Sequence, residues 1–167
     1  IGKLGHGMGF DGSGYVDAGD INAIDGSSQL TVSVWVRFPV DDGSYVVSKG
    51  TGWYINGGMT FAPSSGYPEM VIGSSGGYAP GHNLNQWDIW TFVFDGTQTG
   101  NSNRLKFYLN GSQQPLTFSG TIPATIPSSA DSVNFAGCNG FPSLGASLDD
   151  IRIYNRALSA SEVLNLY

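Results

Sequence analysis

Glycoside hydrolysis rests on two positioned carboxylates, one of them held protonated by its surroundings. The chain has 13 acidic residues, of which only Glu69 and Glu162 are glutamates. No strand-like stretch carries two acids at alternating positions, the spacing that would aim both into one cleft. Serine chemistry is no better supplied. Gly73, Ser75 and Gly77 have the spacing of a nucleophile elbow, but Tyr78-Ala79-Pro80 cannot open the helix that must follow. The histidines, His6 and His82, stand in no triad-like context. Gly7, Gly9 and Gly12 fit a dinucleotide-binding spacing, yet the strand-like Tyr15-Val16-Asp17 follows where a helix is required. Cys138 has no histidine or cysteine pattern around it and reads as a partly buried thiol. No catalytic residue is assigned, and the expectation is a protein that is not an enzyme.

Binding chemistry is better represented. Trp53, Tyr54, Tyr67 and Tyr78 lie beside Gly, Ser and Pro rather than inside apolar runs. Flat, exposed rings of this kind stack on the C–H face of a sugar, while polar groups such as His82, Asn83 and Asn56 hydrogen-bond its hydroxyls. The ligand-binding candidates are therefore Trp53, Tyr54, Tyr67, Tyr78 and His82. Trp35, Trp87 and Trp90 sit in or beside apolar strands and read as packing residues. Asn110-Gly111-Ser112 is formally a glycosylation acceptor, but Asn-Gly is also the pair a tight hairpin prefers, which explains it without glycan.

The elements that must hold these residues are short strands. In Leu30–Phe38, Val32, Val34, Val36 and Phe38 share one face, with Ser33, Trp35 and Arg37 on the other. Ile89–Phe94 is apolar on both faces, as in a strand covered on each side. Further strands are expected at 45–48, 53–56, 59–61, 69–72, 105–109, 132–136 and 148–154. The stretch from Ile72 to Trp87 reads as one long loop without periodicity, a length that is usually functional or mobile. Near the end, Ser159 and Glu162 have the spacing of a capping box, with Leu158 and Val163 as its hydrophobic staple. Many short strands and one short terminal helix describe an all-β, antiparallel two-sheet sandwich.

Size and charge narrow the partners. A chain of 167 residues suits one domain spanning 1–167. One cysteine allows no internal disulfide. With seven unclustered basic residues and a net charge of −6, nucleic acid is not an expected partner. No apolar run approaches the ~20 residues that span a bilayer. With no leader ahead of Ile1, the expectation is an excised domain or processed product, monomeric in isolation and secreted or displayed at a cell surface.

Four segments resemble, in order, the laminin-G-like (concanavalin-A-like lectin) jelly-roll family: MGFDGSGYVD, LTVSVWVRF, QWDIWTFVFDG with LKFYLNG, and LDDIRIYNRALSASE. The resemblance runs from about Met8 to Tyr167 and implies a jelly roll with a short C-terminal helix. It leaves function open, because the fold hosts lectins, polysaccharide-binding modules, adhesion domains and glycosidases. It also implies neighbouring first and last strands, and a structural calcium ion held by Asp11 and Asp149, with Asp17, Asp20 and Asp25 in reserve. The function expected is a non-catalytic module of a larger secreted or surface protein that binds a polysaccharide or glycan. A protein–protein adhesion or spacer domain is the alternative, and a glycosidase the remote one.

Overall fold

The computed structural model describes residues 2–40, 45–50, 53–56, 67–138, 141–142 and 145–167. The strand expected at 59–61 lies outside them. Two antiparallel sheets face each other. The six-stranded sheet has the order β1 (Met8–Gly9), β15 (Ser147–Tyr154), β3 (Gln29–Arg37), β8 (Asp88–Asp95), β9 (Leu105–Leu109) and β10 (Ser112–Gln114). The seven-stranded sheet runs β11 (Thr117–Ser119), β7 (Ser75–Tyr78), β6 (Glu69–Ile72), β5 (Trp53–Asn56), β4 (Tyr45–Lys49), β12 (Val133–Phe135) and β2 (Val16–Asp17). A two-stranded ribbon, β13 (Gly137–Cys138) with β14 (Phe141–Pro142), lies beside β4, where Ser48 Oγ donates to Gly137 O. The first and last strands are neighbours, with Met8 opposite Leu148.

The core follows from period-2 patterning. Val32, Val34 and Val36 of β3 join Trp90, Phe92 and Phe94 of β8 and Phe107 of β9. From the other sheet they meet Val47, Ile55, Met70, Ile72 and Val133. The hairpin after β9 forms as its sequence requires, with positive φ at Asn110 (52°) and Gly111 (75°).

The long loop expected between Ile72 and Trp87 is not one loop. Ser75–Tyr78 forms β7, paired with β6 on one side and β11 on the other. Ser-Gly-Gly-Tyr has weak strand propensity, and two flanking ladders override it.

Both chain ends fold over the outer face of the six-stranded sheet. Leu158 and Val163 bury against Val93 and Tyr108, each burial worth roughly 1.5–3 kcal/mol. Thr31 Oγ1 fastens this tail, donating to Arg156 O (2.8 Å) and accepting from Leu158 N (3.1 Å). The capping box on α2 (Ala160–Leu164) is present in full. Tyr167 stacks on Trp35 at 5.9 Å, and Lys3 Nζ stands 4.7 Å from the same ring. Trp35, on the polar face of its strand, is therefore buried.

Candidate functional site

The termini cover one outer face; the outer face of the seven-stranded sheet carries a concavity among its described residues. Strand register lines its residues up in rows. Ser48, Tyr54, Val71, Gly76 and Ser119 oppose one another across β4, β5, β6, β7 and β11. A second row runs Tyr45, Asn56, Glu69, Tyr78 and Thr117. Between the rows lies a groove of about 290 Å³ bounded by Tyr54, Glu69, Val71, Gly73, Ser74, Gly76 and Ser119.

Gly76 makes the floor. A Cβ there would stand 2.9 Å from Val71 Cγ2, 3.1 Å from Met70 O and 3.3 Å from Glu69 Oε1. Any side chain at this position would press on its neighbours and occupy the groove. Among the described residues one aromatic ring, Tyr54, lines it. Tyr45 meets Tyr54 edge-on at 5.1 Å, and Tyr67 meets Tyr78 in the same way at 6.0 Å. Glu69 is buried and paired in register with Tyr78. Burial first, then the nearby Cys138 thiol and Glu69 carboxylate, push the Tyr45 phenol above its usual range. That hydroxyl stays protonated and able to donate at any physiological pH.

Three of the five ligand candidates fall on or beside this face: Tyr54, Tyr67 and Tyr78. Trp53 lies on β5 opposite Lys49 and Ile72, and its side chain is outside the described residues. His82 belongs elsewhere. Its ring packs on Phe38 (4.7 Å) and Trp90 (5.3 Å), closing one end of the core. Asn83, expected to meet a ligand, donates instead to the buried Asp88 carboxylate. Tyr45 and Glu69 were not among the sequence candidates. The available signal was strand alternation carried through the register of three strands.

The two carboxylates expected to share calcium are not brought together. Phe10 N donates to Ala146 O and Gly9 pairs with Ser147. Asp11 therefore falls opposite position 145, four residues short of Asp149, or about 13 Å at strand spacing. Asp11 Oδ1 accepts from the Ser13 amide (2.9 Å) and hydroxyl (2.5 Å), which hold its carboxyl below the usual range. Asp149 is a tether. Its Oδ1 accepts from Asp150 N (2.8 Å) at a bulge where Asp150 takes a positive φ, and its Oδ2 accepts from Leu4 N (2.7 Å).

The reserve acids are also engaged. Asp17 Oδ1 accepts from Gly19 N. Asp20 and Asp25 face a lysine. The Lys49 side chain is wholly buried, and its ammonium lies 2.5 Å from Asp20 Oδ1 and 3.4 Å from Asp25 Oδ1. It also donates to Ser129 O (2.6 Å) and Asp131 O (2.9 Å). Two carboxylates and two carbonyls are donors a hard cation would choose, and the ammonium already occupies their centre. Among the described residues, no group of three or more His, Cys, Asp or Glu is placed to hold a metal ion. The residues at hand do not fit the calcium site the resemblance implied.

A larger concavity, about 430 Å³, lies between Gly9–Asp11, Arg37, Pro39 and residues 145–147. Arg37 Nε donates to Asn85 O and Asp11 is held by Ser13, both on exposed residues. None of its described lining residues is a Tyr or Trp. On chemistry rather than volume, the groove is the better site. Burial is the first cause of a raised Cys138 thiol pKa, and the residue is half-buried.

The Laminin_G_3 family model, described as the concanavalin A-like lectin/glucanases superfamily, matches residues 10–164. The chain belongs to this family. Among solved structures it is similar to domain 4 of AbnA, a GH43 extracellular arabinanase from Geobacillus stearothermophilus, in complex with arabinotriose. Identity is 23%, the TM-score 0.72, and the match covers 99% of this chain and 78% of that one. A SAP-like pentraxin from Limulus polyphemus aligns at 20% identity and TM-score 0.60, over 91% and 80% of the two chains. A putative carbohydrate binding protein from Bacteroides ovatus aligns at 13% and 0.66, over 90% of this chain and 43% of that one. At these identities the likenesses show the fold. Among curated proteins, none matches the chain significantly. No helix among the described residues is long and apolar enough to cross a membrane.

Proposed function

We propose that this domain is a non-catalytic glycan-binding module whose saccharide lies in the groove over the seven-stranded sheet. The observation that carries this reading is the Tyr54–Glu69–Gly76 arrangement: a ring for the sugar's C–H face, a carboxylate for its hydroxyls, and a floor kept clear by a glycine. Apolar walls with a few placed polar groups are what a saccharide needs for affinity and orientation. The arabinotriose-bound relative and the carbohydrate binding protein support the same ligand class.

Two points support binding without bond cleavage. Glu69 is the one carboxylate among the described groove-lining residues, whereas hydrolysis uses a pair roughly 5–10 Å apart. The other glutamate, Glu162, is committed to the α2 cap and to Arg156. We place the domain outside the cell, as part of a larger protein, in keeping with its likeness to a domain of an extracellular arabinanase. No calcium is required at the Asp20–Asp25 corner, because Lys49 supplies the positive charge there.

Affinity electrophoresis in native gels cast with polysaccharides tests the reading. The wild type is expected to be retarded by at least one polysaccharide, and Tyr54→Ala to lose that retardation by about tenfold in affinity with its fold intact. Retardation equal in both proteins would place the sugar elsewhere.

A further inference from the structure

The charge around the groove says which glycans it takes. The chain holds seven basic residues, Lys and Arg together, and all lie within the described residues. Lys49 is buried in its oxygen cage. Lys3 stands over Trp35 on the opposite sheet. Arg37 donates to Asn85 O, and Arg104 to Gln98 O and Ile122 O. Arg152 and Arg156 pair with Asp150 and Glu162 on the covered face. Lys106 is on β9 of the other sheet, beside a concavity formed with Gln113 and Pro115. None lines the groove, and the sequence between β5 and β6, residues 57–66, has no charged residue at all.

What the groove does hold is the Glu69 carboxylate, on a residue only 4% exposed. A second carboxylate or a sulfate brought within a few ångströms would meet a like charge that water screens poorly. Salt gives little relief at that range, since screening acts over about 8 Å at physiological ionic strength. The net charge of −6 opposes a polyanion at longer distance as well. A neutral sugar meets no such barrier, and its hydroxyls donate to the carboxylate in charge-assisted hydrogen bonds.

Resting on the glycan-binding reading, we propose that the groove selects uncharged glycans and turns away carboxylated or sulfated ones, and that Glu69 sets this preference. The test is a gel panel at 20 mM and about 150 mM salt, using arabinan, xylan and galactan against polygalacturonate and chondroitin sulfate. The wild type is expected to bind from the neutral set alone. Glu69→Gln should narrow the neutral-to-acidic ratio by about tenfold. Ser74→Lys, at an exposed position on the groove rim, should narrow it similarly without touching Glu69, so the test survives if the first variant fails to fold. Acidic polysaccharides bound as tightly as neutral ones, or a ratio unmoved by both variants, would overturn the proposal while leaving glycan binding standing. Retardation by nothing in the panel or on a broad glycan array would remove the glycan-binding reading itself, and the selectivity with it.

Discussion

Lys49 is a charged residue on the core side of β4, and its neighbours explain why it is tolerated. An ammonium out of water is costly unless every proton finds an acceptor. Here Asp20, Ser129 O and Asp131 O provide them, with Asp25 nearby. Replacing it with an apolar isostere leaves two carboxylates facing each other. We predict that Lys49→Met costs about 3–5 kcal/mol, a fall of roughly 10 °C in thermal midpoint, measured by calorimetry. At this scale the sequence was only partly legible. Tyr54, Tyr67 and Tyr78 stood out because Gly, Ser and Pro surround them. Tyr45 and Glu69 did not, because their shared face depends on register through β4, β5 and β6. A bulge between Tyr45 and Val47 in β4 complicates that register further. Asp149 looked like a metal ligand, since a carboxylate that binds two backbone amides has the same one-letter signature as one that binds an ion.

Elements were easier to read where periodicity was strong. Leu30–Phe38 and Ile89–Phe94 lie at the sheet centre as their patterns require, and the Ser159–Glu162 capping box formed as spaced. β7 was missed because its two glycines carry no pattern, yet one of them, Gly76, floors the groove. Gly76→Ala should lower the thermal midpoint by a few degrees and abolish gel retardation, since the added Cβ meets backbone as well as side chain. The terminal helix carries a pH dependence. Arg156 first, then the Ser159 amide and hydroxyl, hold Glu162 at about 2 against an ordinary value of 4.5. A depressed carboxyl favours the folded tail fully above pH 4.5 and loses that contribution as pH falls from there towards 2. Hydrogen exchange of the α2 amides should therefore accelerate across this acid window in the wild type. Glu162→Gln should flatten the dependence. Equal acid acceleration in both would assign the effect to other groups.

Across the whole molecule, the two sheet faces divide the work. One is sealed by both chain ends, through Leu158, Val163, Tyr167 and Lys3. The other carries the groove. This layout follows from the fold class, which the strand pattern and the four family-like segments made legible. The spacing of Asp11 and Asp149 was not, because bringing two strands side by side does not bring two particular carboxylates level. With Lys49 in place as the internal cation, thermal midpoints in EDTA and in millimolar calcium should coincide. A rise with calcium would reveal an ion site elsewhere in the chain. The division of faces is tested most directly by titrating isotope-labelled protein with the polysaccharide fragment that retards it and following every backbone amide by NMR. We predict shifts concentrated at Tyr54, Glu69–Val71, Gly73–Gly76 and Ser119. Shifts gathered instead around Gly9–Asp11, Arg37 and Ser147, or along α2, would contradict the account.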